Sequence, residues 1–160
     1  MLRIGGAALL LASSFFLAAE AAAGERRRLR HYEGLLAFVR FVRAQVEGAR
    51  RPMPQICAAF YHKELAECGF LPLLQRQGLA VALQEGEGLL GLEAEELRPL
   101  FAFAATLGKG EAEGEVQLCI RTEAELERGL LRRREEAPRR TRVSQTLSIS
   151  GALMLLLLLL

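Results

Sequence analysis

The sequence contains no aspartate, no asparagine and no tryptophan, and only two histidines, two tyrosines and three cysteines. Metal loops and carboxylate dyads built on Asp are therefore closed to it. Three cysteines are an odd number and too few for a disulfide framework. An excess of one charge is missing as well. The 21 Lys+Arg stand against 19 acidic residues, all Glu, for a net charge of +2. A nucleic-acid protein would show a clear basic excess, so that class is excluded. What is present is uneven. Hydrophobic residues reach 51% and mean hydropathy is +0.18, although 25% of the chain is charged. Both ends are nearly charge-free, and 20 of the 21 basic residues lie between Glu25 and Arg142.

The first stretch, MLRIGGAALLLASSFFLAAEAAAG, has no charge from Ile4 to Ala19 and only Glu20 before Gly24. As a helix it is roughly 31 Å long, close to the thickness of a hydrocarbon core. The last stretch, Val143–Leu160, carries no charge and ends in six leucines. It would be about 27 Å long. Arg26, Arg27, Arg28 and Arg30 follow the first stretch. Arg132, Arg133, Arg134, Arg139, Arg140 and Arg142 precede the last. Basic residues beside a span stay cytoplasmic, so both flanks hold the middle of the chain inside with both tips outside. The expected division is a span at 2–24, a cytoplasmic domain at 25–142 and a second span at 143–160, with the lipid bilayer as a partner. The alternative is a secreted or surface-anchored helical protein with a cleaved signal peptide, since Ala21-Ala22-Ala23 offers a cleavage pattern. Four arginines just beyond that point oppose translocation.

The middle reads as helical throughout. Tyr32, Leu35, Leu36, Val39, Val42 and Val46 recur at three- and four-residue spacing and predict a helix from Leu29 to Gly48. A second helix is expected over Gln55–Glu67, with Ile56, Cys57, Phe60, Tyr61 and Leu65 on one face. A third is expected over Pro72–Gln84, ended by a loop Glu85-Gly86-Glu87-Gly88. The fourth spans Glu93–Leu107 with an acidic start, and the fifth Glu111–Glu136, with Val116, Cys119, Leu126 and Leu130 inward. No stretch alternates with a period of two. The fold class is all-α, an antiparallel bundle of about five helices flanked by transmembrane helices.

Candidate chemistry is thin. Cys57, His62 and Cys68 are spaced C-x4-H-x5-C, which fits no paired zinc pattern; the thiols read as core residues. His31 reads as a surface residue. Gly108-Lys109 lacks the remaining glycine and hydroxyl of a phosphate loop. The glutamates at helix starts read as solvated. No catalytic, cofactor-binding or metal site is assigned.

The layout nevertheless resembles a known family. A span, an Arg-rich exit, five short helices and a Leu-rich span follow the order of the stage III sporulation protein AB family. Leu29–Ile56 resembles that family's first helix, with Glu47 ending it and Pro52 and Pro54 at the turn and the start of the next. Leu107-Gly108, with Gln117 some nine residues on, resembles its Leu-Gly helix end; Lys109-Gly110-Glu111 departs from the usual Ser/Asp-rich continuation. The resemblance implies a non-enzymatic membrane component, similar to cytoplasmic domains of type II secretion platform proteins. It would belong to the channel between mother cell and forespore, sit in the mother-cell membrane around the forespore, and contact a secretion-type ATPase of the same operon and other membrane proteins of the channel. No cofactor is implied.

Overall fold

The structure, a computed structural model, describes residues 2–48, 51–110 and 112–159, with side chains at 13, 16, 19–48, 51–110 and 113–136. Seven helices and no strand occur among the described residues: α1 (Leu2–Gly48), α2 (Met53–Ala59), α3 (Lys63–Glu67), α4 (Phe70–Gln77), α5 (Leu79–Leu90), α6 (Ala94–Thr106) and α7 (Ala112–Leu159). The chain divides into two compact units, Arg28–Arg132 on the one hand and Met1–Arg27 with Arg133–Leu160 on the other.

In the unit formed by the chain ends, Glu25 and Arg133 make an ion pair of 3.0 Å, with the Arg133 side chain only 6% exposed. Arg133 is therefore not a free flanking charge, as the sequence suggests, but is neutralised inside the protein. Of the expected spans 2–24 and 143–160, residues 2–24 and 143–159 fall on helical backbone and Leu160 lies outside the described residues; the side chains of both spans lie for the most part outside them too, as do those of Arg139, Arg140 and Arg142. Among the described residues, no helix is long and apolar enough to cross a membrane.

The unit Arg28–Arg132 is a helical bundle built on one apolar core. Tyr32, Leu35, Leu36, Phe38, Val39, Val42 and Val46 of α1 are all buried, as their periodicity requires. They share the core with Leu126 and Leu130 of α7 and with the apolar residues of the short helices. Arg40 Nε donates to Glu123 at 2.7 Å and its Nη2 to Glu127, while Arg43 Nη1 donates to Glu123 at 2.5 Å. Tyr32 meets Gly129. Sequence numbers rise on α1 as they fall on α7, so the two helices are antiparallel.

The short helices depart from expectation in three places. The single helix over Gln55–Glu67 is two. Phe60 is extended (φ −72°, ψ 136°), and its carbonyl accepts a hydrogen bond from Gln75 Nε2 at 2.9 Å. Its ring sits edge-on to Phe38 at 5.1 Å and tilted against Phe41 at 5.5 Å. These tertiary contacts outweigh helix continuation and turn Tyr61 out to 73% exposure, against its expected burial. The helix over Pro72–Gln84 is also divided. Gly78 lies at φ 82°, ψ 173°, a conformation closed to residues with a side chain, and it ends α4 and begins α5. Third, Glu85–Gly88 is helix, not loop. Gly86 is buried, and a Cβ there would stand 2.7 Å from the Phe70 ring, so this glycine serves close approach of α4 and α5. Helix α6 begins at Glu93 with a capping box, Glu96 Oε2 accepting the Glu93 N–H at 2.9 Å. It carries Pro99 inside. Helix α7 continues well past the expected end near Glu136.

Candidate partner-docking surface

Within the bundle unit, α1 runs from Arg28 to its end at Gly48, and α7 starts at Ala112 and returns antiparallel to it. The end of α1, the start of α2, the end of α6 and the start of α7 thus gather at one end of the unit. All six positions singled out by the family resemblance lie there. Glu47 is in the last turn of α1, its Oε1 3.7 Å from Arg43 Nε. Pro52 is the residue before α2 (φ −64°, ψ 143°), and its carbonyl accepts from the N–H groups of Gln55 and Ile56. Pro54 stands in the first turn of α2, where its missing N–H costs nothing. Leu107 closes α6, and its N–H donates to the Phe103 carbonyl at 2.9 Å. Gly108 follows with φ 80°. Gln117 is exposed on α7.

Two grooves open on this end, one on each side of the last turn of α6. The first, about 320 Å³, is lined by Met53, Pro54 and Cys57 of α2, by residues 75–80 around Gly78, and by Ala104 and Leu107. The second, about 380 Å³, is lined by Thr106, Gly114, Gln117, Leu118, Ile120 and Arg121. Pro54 and Leu107 therefore share one groove, and Gln117 faces the other. Ile120, outside the inward stripe of α7, remains 41% exposed. Sequence reading missed Arg76, Ala80, Ile120 and Arg121; an isoleucine off the buried face of a helix is the signal that could have found one of them.

Among the described residues, three thiols and one guanidinium are shifted from their ordinary pKa values. Burial raises all three thiols. It pushes Cys119 up to about 11, with Glu115 adding to the effect. The Leu79 N–H partly offsets the rise at Cys57. Thiols held protonated in this way are poor nucleophiles and poor metal ligands. Among the described residues, no group of three His, Cys, Asp or Glu side chains could hold a metal. Cys57 lies in α2 and Cys68 closes α3, so the two thiols belong to different helices. His31 is part-buried, not at the surface, and its Nδ1–H donates to the Leu90 carbonyl at 2.9 Å. Hydrogen bonds to Glu123, then to Glu127, raise the Arg40 guanidinium. Arg26, Arg27, Arg28 and Arg30 are exposed; Arg30 pairs with Glu64 at 3.1 Å.

The family model of stage III sporulation protein AB matches residues 75–160, more than half of the chain. The chain belongs to that family. Within this stage III sporulation protein AB match lie Leu107, Gly108, Gln117, both grooves' α6 and α7 residues, and the leucine-rich end; Glu47, Pro52 and Pro54 precede it. No curated protein and no solved structure matches the chain. Stage III sporulation protein AB is not known as an enzyme family, and its membership gives this chain a sporulation-related role.

Proposed function

We propose that the chain is a non-enzymatic, membrane-anchored component of the channel-like assembly between mother cell and forespore. On this reading the apolar stretches 2–24 and 143–160 span the mother-cell membrane around the forespore. The helical unit faces the mother-cell cytoplasm, docks the secretion-type ATPase of the same operon and meets other membrane proteins of the channel. The observation that carries the reading is the family match over residues 75–160. Two further features support it. Each apolar end is followed or preceded by arginines on the side of the helical unit, as the positive-inside rule requires for a cytoplasmic middle. The family positions also cluster beside two open grooves, where a partner could reach them.

An in-frame deletion in a sporulating host tests the reading. Spore formation is expected to stop after engulfment, and a fluorescent fusion is expected to ring the forespore and resist extraction from membranes by alkaline carbonate. Normal spore yield would overturn the role in sporulation. A mature chain starting after Ala23 would overturn the N-terminal anchor and favour the secreted alternative.

A further inference from the structure

We infer that the groove between α2, the start of α5 and the end of α6 receives a partner segment that presents an apolar side chain next to a carboxylate. This deepens the docking reading above and rests on it for the identity of the partner. The lining of the groove defines the occupant. Met53, Pro54, Leu79, Ala80, Ala104 and Leu107 give an apolar floor and walls. At about 320 Å³ the space is large enough for a bulky side chain.

The polar side chains of the lining are the amides Gln75 and Gln77, the Cys57 thiol and one charged group, Arg76. Arg76 stands at the rim, exposed, and forms no ion pair among the described residues. The first turn of α5 opens on the same groove without a side-chain cap, because Gly78 precedes it. Among the described residues, no carboxylate lines the groove, in a chain with 19 Glu. Arg40 and Arg43 are matched by Glu123 and Arg30 by Glu64; Arg76, like Arg98 and Arg121, has no such partner among the described residues, and at the rim of an apolar groove it offers its charge to an occupant. A nucleic acid is excluded as the occupant, since a phosphate backbone calls for a row of cations and this groove supplies one.

Ala80 provides the discriminating variant. It is exposed, at the second position of α5, and lines the groove. A glutamate there is favourable to the helix, being near its N-terminus, so Ala80→Glu keeps the fold while repelling an acidic occupant. Ala80→Lys at the same position is tolerant of that occupant. Binding is measured with the full-length chain in nanodiscs, in one arm against the purified ATPase, and in another against labelled twelve-residue peptides of acidic-apolar, basic-apolar and polar composition. The expected result is binding of the ATPase and of the acidic-apolar peptides that falls about tenfold or more in Ala80→Glu and Arg76→Glu and is retained in Ala80→Lys. Unchanged binding of the ATPase by both Glu variants overturns the groove while leaving the docking reading standing. If the ATPase does not bind the unmodified chain, the docking reading falls and the peptides decide the groove: binding lost in Ala80→Glu upholds it, and no acidic-apolar binding overturns it. Self-association of the chain that is lost in Ala80→Glu would identify a second copy as the occupant and overturn the assignment to a partner protein.

Discussion

Two regions of the bundle are held together by different means. Where α1 meets α7, the buried groups on the α7 side are Cys119, Thr122, Leu126 and Leu130, with Gly129 against Tyr32, while Val116 and Leu118 pack part-buried on the same core. Thr122 satisfies its own hydroxyl by donating to the Leu118 carbonyl at 2.9 Å, and charges at the rim link the two helices. The short helices α2–α6 fit through volume instead. Phe60, Leu65, Phe70, Leu74, Leu83, Leu97, Leu100 and Phe103 are buried among them, and glycine is used where a side chain would collide. The difference teaches where a substitution should hurt. Along α1 and α7, charge and protonation act beside one close approach, that of Tyr32 to Gly129; among the short helices, a single methyl group decides.

The largest effect that isolates the α1–α7 seam is an alkaline one. Cys119 is fully buried and its thiol is raised from 9.0 to about 11. Above the unfolded value the unfolded chain loses this proton while the folded chain keeps it, so the unfolded state is favoured. The stability is fully present below about pH 9 and is lost as pH rises towards 11. The full loss is about 2–3 kcal/mol for this group. Urea unfolding under reducing conditions at pH 7, 9 and 10.5 should show it, and Cys119→Ala should lose less stability over the same interval. Equal slopes for the two proteins would show that the seam tolerates the thiolate.

Glycines 86 and 88 provide the sharper test among the short helices. Both lie in α5. A Cβ at Gly86 would stand 2.7 Å from Phe70, itself fully buried, whereas a Cβ at Gly88 meets nothing within 4 Å. Gly86→Ala is expected to cost about 1–3 kcal/mol by overpacking, despite its better helix propensity. Gly88→Ala should stabilise by about 0.5–1 kcal/mol. Denaturant midpoints of the two variants should therefore move in opposite directions. A shift of the same sign in both would mean that helix propensity, not close approach, governs α5.

The same contrast explains what was legible in the sequence. The buried face of α1 was read off its spacing, because a long helix keeps one period for five turns and its neighbours impose nothing on it. The breaks at Phe60 and Gly78 were not, because a ring placed between Phe38 and Phe41, or a carbonyl met by Gln75, are contacts across the fold. Gly86 and Gly88 together give a loop signal in the sequence, although only their surroundings distinguish a helix packed on Phe70 from a turn. At the candidate docking surface, the family positions were accessible through order and spacing. That they share one end of the bundle followed from α1 and α7 being antiparallel. The grooves themselves were hidden, since Arg76, Ala80 and Leu107 come from segments whose proximity no local pattern encodes.

The smallest expected effect bears most directly on the charged rim. Glu123, with a side chain 13% exposed, accepts from both Arg40 and Arg43, whose side chains are 51% and 36% exposed. An exposed ion pair contributes about 0.2–1 kcal/mol, so two such arms meeting on one carboxylate give about 1 kcal/mol, and Glu123→Gln should lose that much at low salt. Arg40 would retain Glu127, which limits the loss. Because the guanidinium groups face water, salt should erase the difference: at 1 M the screening length falls to about 3 Å. The pair Lys63–Glu67, at 3.7 Å on α3 and more exposed at both ends, is the comparison. It joins residues of one short helix and ties nothing together, so Lys63→Gln should leave the unfolding midpoint within a few tenths of a kcal/mol. A cycle of Arg40→Gln, Glu123→Gln and the double variant isolates the coupling. If that coupling is no larger than the effect of Lys63→Gln, or survives 1 M salt undiminished, charge is not what ties α1 to α7, and the buried groups of the seam must carry the association alone.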